Sequence, residues 1–155
     1  MSGHNLKRIT FALVLMGLLG YLASSLMEEA SPPAERIRHL IEDAVDDFND
    51  QDLRVRELFS PNYRDANGAE ISHVRALMNS FMYADEEDFH AQLEEGQLKI
   101  TVGESGREAQ VVLSLLLLKD DQPWKHLRGV FDLEKEGANW RAVESHDVSH
   151  LPAED

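Results

Sequence analysis

Three stretches of this chain carry side chains able to move protons or grip a ligand. Tyr63, Arg64 and Asp65 form one polar cluster. A phenol, a guanidinium and a carboxylate side by side suit ligand contact. The plainer alternative is that Asp65 caps a turn while Tyr63 packs its ring and its hydroxyl meets water. Asp132 shares one face of a strand-like segment with His126, Arg128, Val130 and Glu134, and Leu127, Gly129, Phe131 and Leu133 make the other face. A face that polar is solvated or lines a pocket; it is not the apolar setting that keeps a carboxylic acid protonated. His146 and His150 are four apart. That spacing shares a face on a helix, but along a strand it spans about 13 Å, so one metal would not hold both unless the chain turns. His90, His126 and His146 fall on different strands, and no metal set is assigned to them. No G-x-S-x-G, Walker, Rossmann or H-E-x-x-H motif occurs. The absence of cysteine removes disulfides, thiolate catalysis, Cys-ligated zinc and iron–sulfur clusters. No metal and no cofactor is implied.

The elements that must position these residues follow from hydrophobic spacing. Ile37, Leu40, Ile41, Ala44, Val45 and Phe48 recur at three and four, which predicts an amphipathic helix over 33–49. Its acidic side, Glu42, Asp43, Asp46, Asp47 and Asp50, reads as a solvated face rather than a metal site. A shorter helix is expected over 52–59, broken by Ser60-Pro61-Asn62. "NYRDANGAEI" reads as a small hairpin turning at Asn67-Gly68. A third helix is predicted over 72–83, with Val74, Leu77, Met78 and Phe81 inward. Strands follow over 89–102, 108–119, 124–135 and 139–148. The first has a bend near Glu95-Gly96, because its apolar parity shifts there. Helices followed by a four-stranded antiparallel meander make an α+β domain. In "VVLSLLLL", Val111 to Leu118, both strand faces are apolar, so something must cover the second face.

Charge and hydropathy divide the chain. All 29 acidic residues lie after Met27, and Lys7 and Arg8 precede it; from Glu28 onward 13 basic residues face those 29, a net of −16. Such a domain repels phosphate backbones, so nucleic acid is not an expected partner. From Ile9 to Met27 there are 19 residues without a charge, about 28 Å of helix against a hydrocarbon core of roughly 30 Å. The basic pair before it places residues 1–8 in the cytoplasm and the domain outside, in the periplasm if the host is Gram-negative. Three readings of 9–27 stay open: a single-pass membrane anchor, a signal peptide cut after Ser25, or a buried helix. Residues 28–33 are a linker, 34–151 the domain and 152–155 a tail.

Over Ala34 to Ser149 the chain resembles the nuclear transport factor 2-like superfamily, which includes the SnoaL-like cyclases and ketosteroid isomerase. The amphipathic first helix, the helix-breaking "LFSPNYRDANGAEI", the third helix and the closing "GANWRAVESHDVS" carry the resemblance. It implies a cone: helices wrapped by a curved sheet, with a pocket at the open end. Within that cone Tyr63, Asp65, Arg128, Asp132 and His146 are the candidate pocket-lining residues. The resemblance also implies pairing through the convex sheet face, with Val112, Leu116 and Leu118 as the candidate dimer face. Cover by neighbouring side chains of the same chain is the alternative. An isomerase-type site needs a carboxylate base opposite donors that hold an enolate oxygen. The first helix has no Tyr, and no acid pair matches that pattern. Two functions are therefore weighed. One is a membrane-tethered, extracytoplasmic, non-catalytic module, homodimeric or bound to an envelope partner, with a small apolar ligand. The other is a small-molecule isomerase, cyclase or hydrolase with Asp65, Asp132 or His146 as base. A third, structural idea is a scaffold whose membrane helix also makes contacts.

Overall fold

The computed structural model describes residues 32–84 and 86–153. The expected cytoplasmic N-terminus, membrane segment 9–27 and most of the linker lie outside the described residues. Among the described residues no helix is long and apolar enough to cross a membrane.

Helix α1 spans Pro33–Asn49 and turns Ile37, Ile41 and Ala44 inward. Pro33 is its first residue, where the missing N–H costs nothing. A 3-10 helix, Leu53–Leu58, follows, capped by Asp52, whose side chain accepts from the Arg54 N–H at 2.9 Å. Strand β1 is Phe59–Asp65 and helix α2 is Ile71–Met82. Then come β2, Phe89–Leu93; β3, Lys99–Val102; β4, Glu108–Lys119; β5, Gln122–Glu136; and β6, Asn139–Pro152.

These strands form one six-stranded sheet in the order β1-β6-β5-β4-β2, with β3 also paired to β4. The sheet is mixed, not a four-stranded antiparallel meander, and two features hid this. The segment 59–65 is polar and contains Pro61, so it looks like a helix break; it is an edge strand running parallel to β6, and its register breaks between Phe59 and Arg64, around that proline. The expected hairpin survives only as a tight return, with an Arg64–Glu70 bridge and Gly68 at φ 84°. The long strand expected over 89–102 is two strands, because the bend at Gly96 is a complete turn at φ 73°. β2 pairs with the second half of β4 and β3 with the first half.

The leucine-rich β4 is central. Val111, Leu113, Leu115 and Leu117 face the helices, and the main core joins Ile37, Ile41, Val111, Leu133, Trp140 and Ala142. The other face of β4 is half-buried by its own neighbours. Val112 sits between Lys99 and Val130, Leu116 between Gln92 and His126, and Leu118 beside His90. Three register shifts in the β4-β5-β6 ladder bend the sheet. β6 runs to Pro152, past the expected end at 148, and Ala153 N–H donates to the Trp124 carbonyl at 3.1 Å.

Candidate functional site

Between the sheet and the helices lies a cavity of about 400 Å³. α1 contributes Ile41, Ala44, Val45 and Phe48, and α2 contributes Val74, Leu77, Met78 and Phe81. Val111, Leu113, Leu115 and Leu117 of β4 face it, with Leu127, Phe131 and Leu133 of β5 and Ala142, Ser145 and Val148 of β6. The helical period of three to four on α1 and α2 and the alternation on β4 and β5 aim these side chains at one space. Leu77 and Val148 form part of the rim, 54% and 42% exposed. One flank carries an aromatic trio: Phe89 lies 5.0 Å from Phe81 and 5.3 Å from Trp124 between ring centres.

The wall is apolar with few polar groups. Tyr63 and Ser145, only 4% and 2% exposed, share a hydrogen bond of 2.5 Å between hydroxyls. Burial pushes the Tyr63 phenol above its usual range, and the negative charge of Asp65 adds to this; the bond to Ser145 works the other way. Tyr63 is therefore a neutral phenol at physiological pH. Asp65 also lines the cavity. Its Oδ1 accepts from the Asn67 and Ala69 N–H groups at 2.9 and 2.7 Å, which holds the turn into α2. His73 and His150 lie at exposed wall positions, and the half-buried His90 also lines the cavity. Among the described residues no Lys or Arg lines the cavity.

Of the five residues expected in the pocket, Tyr63 and Asp65 line this cavity, whereas Arg128, Asp132 and His146 stand on the opposite face of the sheet. Arg128 and Asp132 follow the alternation of β5, whose other face is Leu127, Phe131 and Leu133. His146 is moved by a bulge. Strict alternation from the inward Trp140 and Ala142 would bring residue 146 inward, but the β5-β6 register shifts between Asp132 and Leu133, so Ser145 turns in and His146 turns out. His146 there meets Asp132 at 3.5 Å, and Gln110 Nε2 donates to the other Asp132 oxygen at 3.1 Å. On the same face His126 lies 3.0 Å from Glu94, and Ser114 bonds Glu94 as well. Among the described residues no group of three or more His, Asp or Glu side chains is arranged to hold a metal ion.

Ser145 and His73 are polar wall residues that sequence reasoning missed, and Ser145 is the buried one. Only the parallel β1-β6 pairing, which sets Asp65 opposite Ser145, would have pointed to it, and β1 itself did not read as a strand.

Comparison with solved structures identifies the architecture. A nuclear transport factor 2-like protein of unknown function from Pseudomonas putida KT2440 superposes with a TM-score of 0.59, at 19% identity over 73% of this chain and 83% of that one. A nuclear transport factor 2-like protein with a cystatin-like fold from Novosphingobium aromaticivorans gives 0.56, at 21% identity over 82% and 86%. The fold is nuclear transport factor 2-like. Bd1075 of Bdellovibrio bacteriovorus contains the same arrangement, with a TM-score of 0.61 and 10% identity over 77% of this chain; the chain spans only 41% of that protein. No family model and no curated protein matches the sequence. A nuclear transport factor 2-like fold hosts unrelated activities, so function has to be argued from the cavity itself.

Proposed function

We propose that this domain is a non-catalytic binding module that encloses a small apolar molecule, held outside the cytoplasm by residues 9–27 and paired through its convex sheet face. The apolar cavity carries the reading. Its volume of about 400 Å³ is in the range of small-molecule sites, roughly 300–1,000 Å³. Its lining is predominantly apolar with a few polar groups, the character of a small-molecule site. Asp65 is the carboxylate of the wall, and two backbone N–H groups already occupy one of its oxygens. Among the described residues no base positioned against a second, proton-donating acid is assembled in the wall.

The isomerase, cyclase or hydrolase reading keeps one favourable observation, the charge of Asp65 acting on the neutral Tyr63 phenol. Membrane tethering rests on the uncharged run 9–27 and its basic flank. Pairing rests on Val112, Leu116 and Leu118, half-buried by their own chain and able to lose further water against a second copy.

The test is to purify the full chain from its native membranes and analyse the denatured extract by mass spectrometry. A binding module yields a stoichiometric apolar compound that is recovered unchanged after incubation with the protein. A compound converted on incubation supports the enzyme reading, and an empty protein refutes the binding reading.

A further inference from the structure

Two hydroxyl groups carry two hydrogens, and the bond between Tyr63 and Ser145 uses one of them. Among the described residues neither hydroxyl has another side-chain hydrogen-bond partner. Whichever group donates, one O–H remains, and both residues belong to the cavity wall. We infer that this pair presents a single hydrogen-bond donor to the cavity and selects a neutral, largely apolar molecule bearing one carbonyl oxygen, such as a ketone or ester. The inference rests on the reading of the cavity as a binding site and specifies its ligand.

The rest of the wall sets the remaining terms. Among the described residues an anion finds no Lys or Arg there, only His73, His90 and His150, and meets Asp65 beside the phenol, in a chain of net charge −14. A pure hydrocarbon fills the space but leaves the spare O–H unpaired in apolar surroundings, which costs free energy. A carbonyl accepts that hydrogen and keeps the rest of the molecule against Leu113, Leu115, Leu127 and Phe131. A site built around a donor discriminates against the analogue that lacks the acceptor.

The experiment uses the full chain in a mild detergent with two probes of matched shape, 2-acetylnaphthalene and 2-ethylnaphthalene. Apparent dissociation constants come from the rise of melting temperature with probe concentration. Both probes are expected to stabilise the wild type, the ketone binding about tenfold tighter. Tyr63→Phe and Ser145→Ala each keep one hydroxyl and retain a preference. The double variant keeps none, so its two constants become equal while the ethyl compound binds as before. Equal constants in the wild type overturn the inference and leave the binding site standing, a result that needs no variant to fold. A ketone preference that persists in the double variant overturns it as well. If neither probe stabilises the wild type, the binding-site reading fails along with the inference.

Discussion

The side-chain amide of Asn49 bonds both backbone groups of Ala91: its Nδ2 donates to the Ala91 carbonyl at 2.9 Å, and its Oδ1 accepts from the Ala91 N–H at 2.7 Å. Asn49 is the last residue of α1, and Ala91 is the middle of β2. β2 ends the sheet on that side, so Ala91 would otherwise present unpaired groups. One amide reproduces the donor and acceptor of a neighbouring strand. It also ties α1 to the sheet at the cavity, whose wall includes both Phe48 and Ala91.

Asn49→Ala therefore removes two hydrogen bonds and leaves a buried backbone pair unsatisfied. The expected cost is about 2 kcal/mol, read from the urea midpoint. Asn49→Asp is the sharper test: it keeps an acceptor for the N–H but sets a carboxylate against the Ala91 carbonyl, so it should destabilise at least as much at pH 7 and recover in part in acid as the carboxyl becomes a donor. A midpoint unchanged in both variants would mean that the helix is held by apolar packing alone.

Tyr63 makes stability fall in alkali. Its folded pKa lies above the ordinary value of about 10, chiefly through burial. Between the unfolded and folded values, the unfolded chain has lost the phenolic proton and the folded chain has kept it. The folded state then binds more protons, so unfolding becomes easier as pH rises past about 10. The stabilising term is fully present below that pH. Tyr63→Phe should cost about 1 kcal/mol at neutral pH through the lost bond to Ser145. It should also remove part of the alkaline decline, so the gap between the two urea midpoints stays constant up to about pH 10 and narrows above it. Parallel curves would show that the phenol titrates as in water.

How far the cavity was legible follows from where periodicity survives. α1 and α2 keep their apolar spacing throughout, so Ile41, Ala44, Val74 and Phe81 could be placed inward from spacing alone. β5 alternates across the whole cavity, so Phe131 was equally plain, whereas β4 is apolar on both faces and its alternation could not by itself say that Leu113 points inward. β6 does not alternate: its two register shifts against β5 exchange the faces of residues near 143 and 147, and Asp147 sits at φ 52°. No local composition marks those bulges, and they alone decide that Ser145 rather than His146 enters the cavity. β1 was illegible for another reason. A short edge strand with Pro61 is stabilised by a parallel partner about 80 residues later in the chain, and such pairing leaves no mark on local pattern.

Self-association through the convex face is tested by charge. Leu116 lies in the middle of β4, its cross-strand neighbours being Gln92 and His126. Leu116→Arg should leave the monomer folded, because that face already carries Arg128 and His126. Placed against a second copy, it buries two unpaired cations. The full chain in detergent is expected to sediment as a dimer and the variant as a monomer, with melting temperatures within a few degrees at matched monomer concentration. Added salt should tighten the wild-type dimer, because each copy carries a net charge of −14. A wild type that sediments as a monomer at all salt concentrations removes the pairing proposal.

Filling the cavity separates its use from its structure. Val74 sits on α2, half-buried, with its side chain on the cavity wall. Val74→Trp projects an indole into existing space rather than into packed core, so overpacking strain is small. New contacts with β4 and β5 replace surface that now borders a void, and cavity filling of this kind commonly adds about 0.5–2 kcal/mol. The variant should be as stable as the wild type or more so, and should retain no apolar compound on purification. The opposing pattern is equally plain: if a bound compound persists at full stoichiometry in a stable Val74→Trp protein, the ligand lies elsewhere, and the space between α2 and the sheet is packing slack. A loss of stability without a loss of ligand would place the indole outside the cavity, with α2 displaced from the wall it now forms.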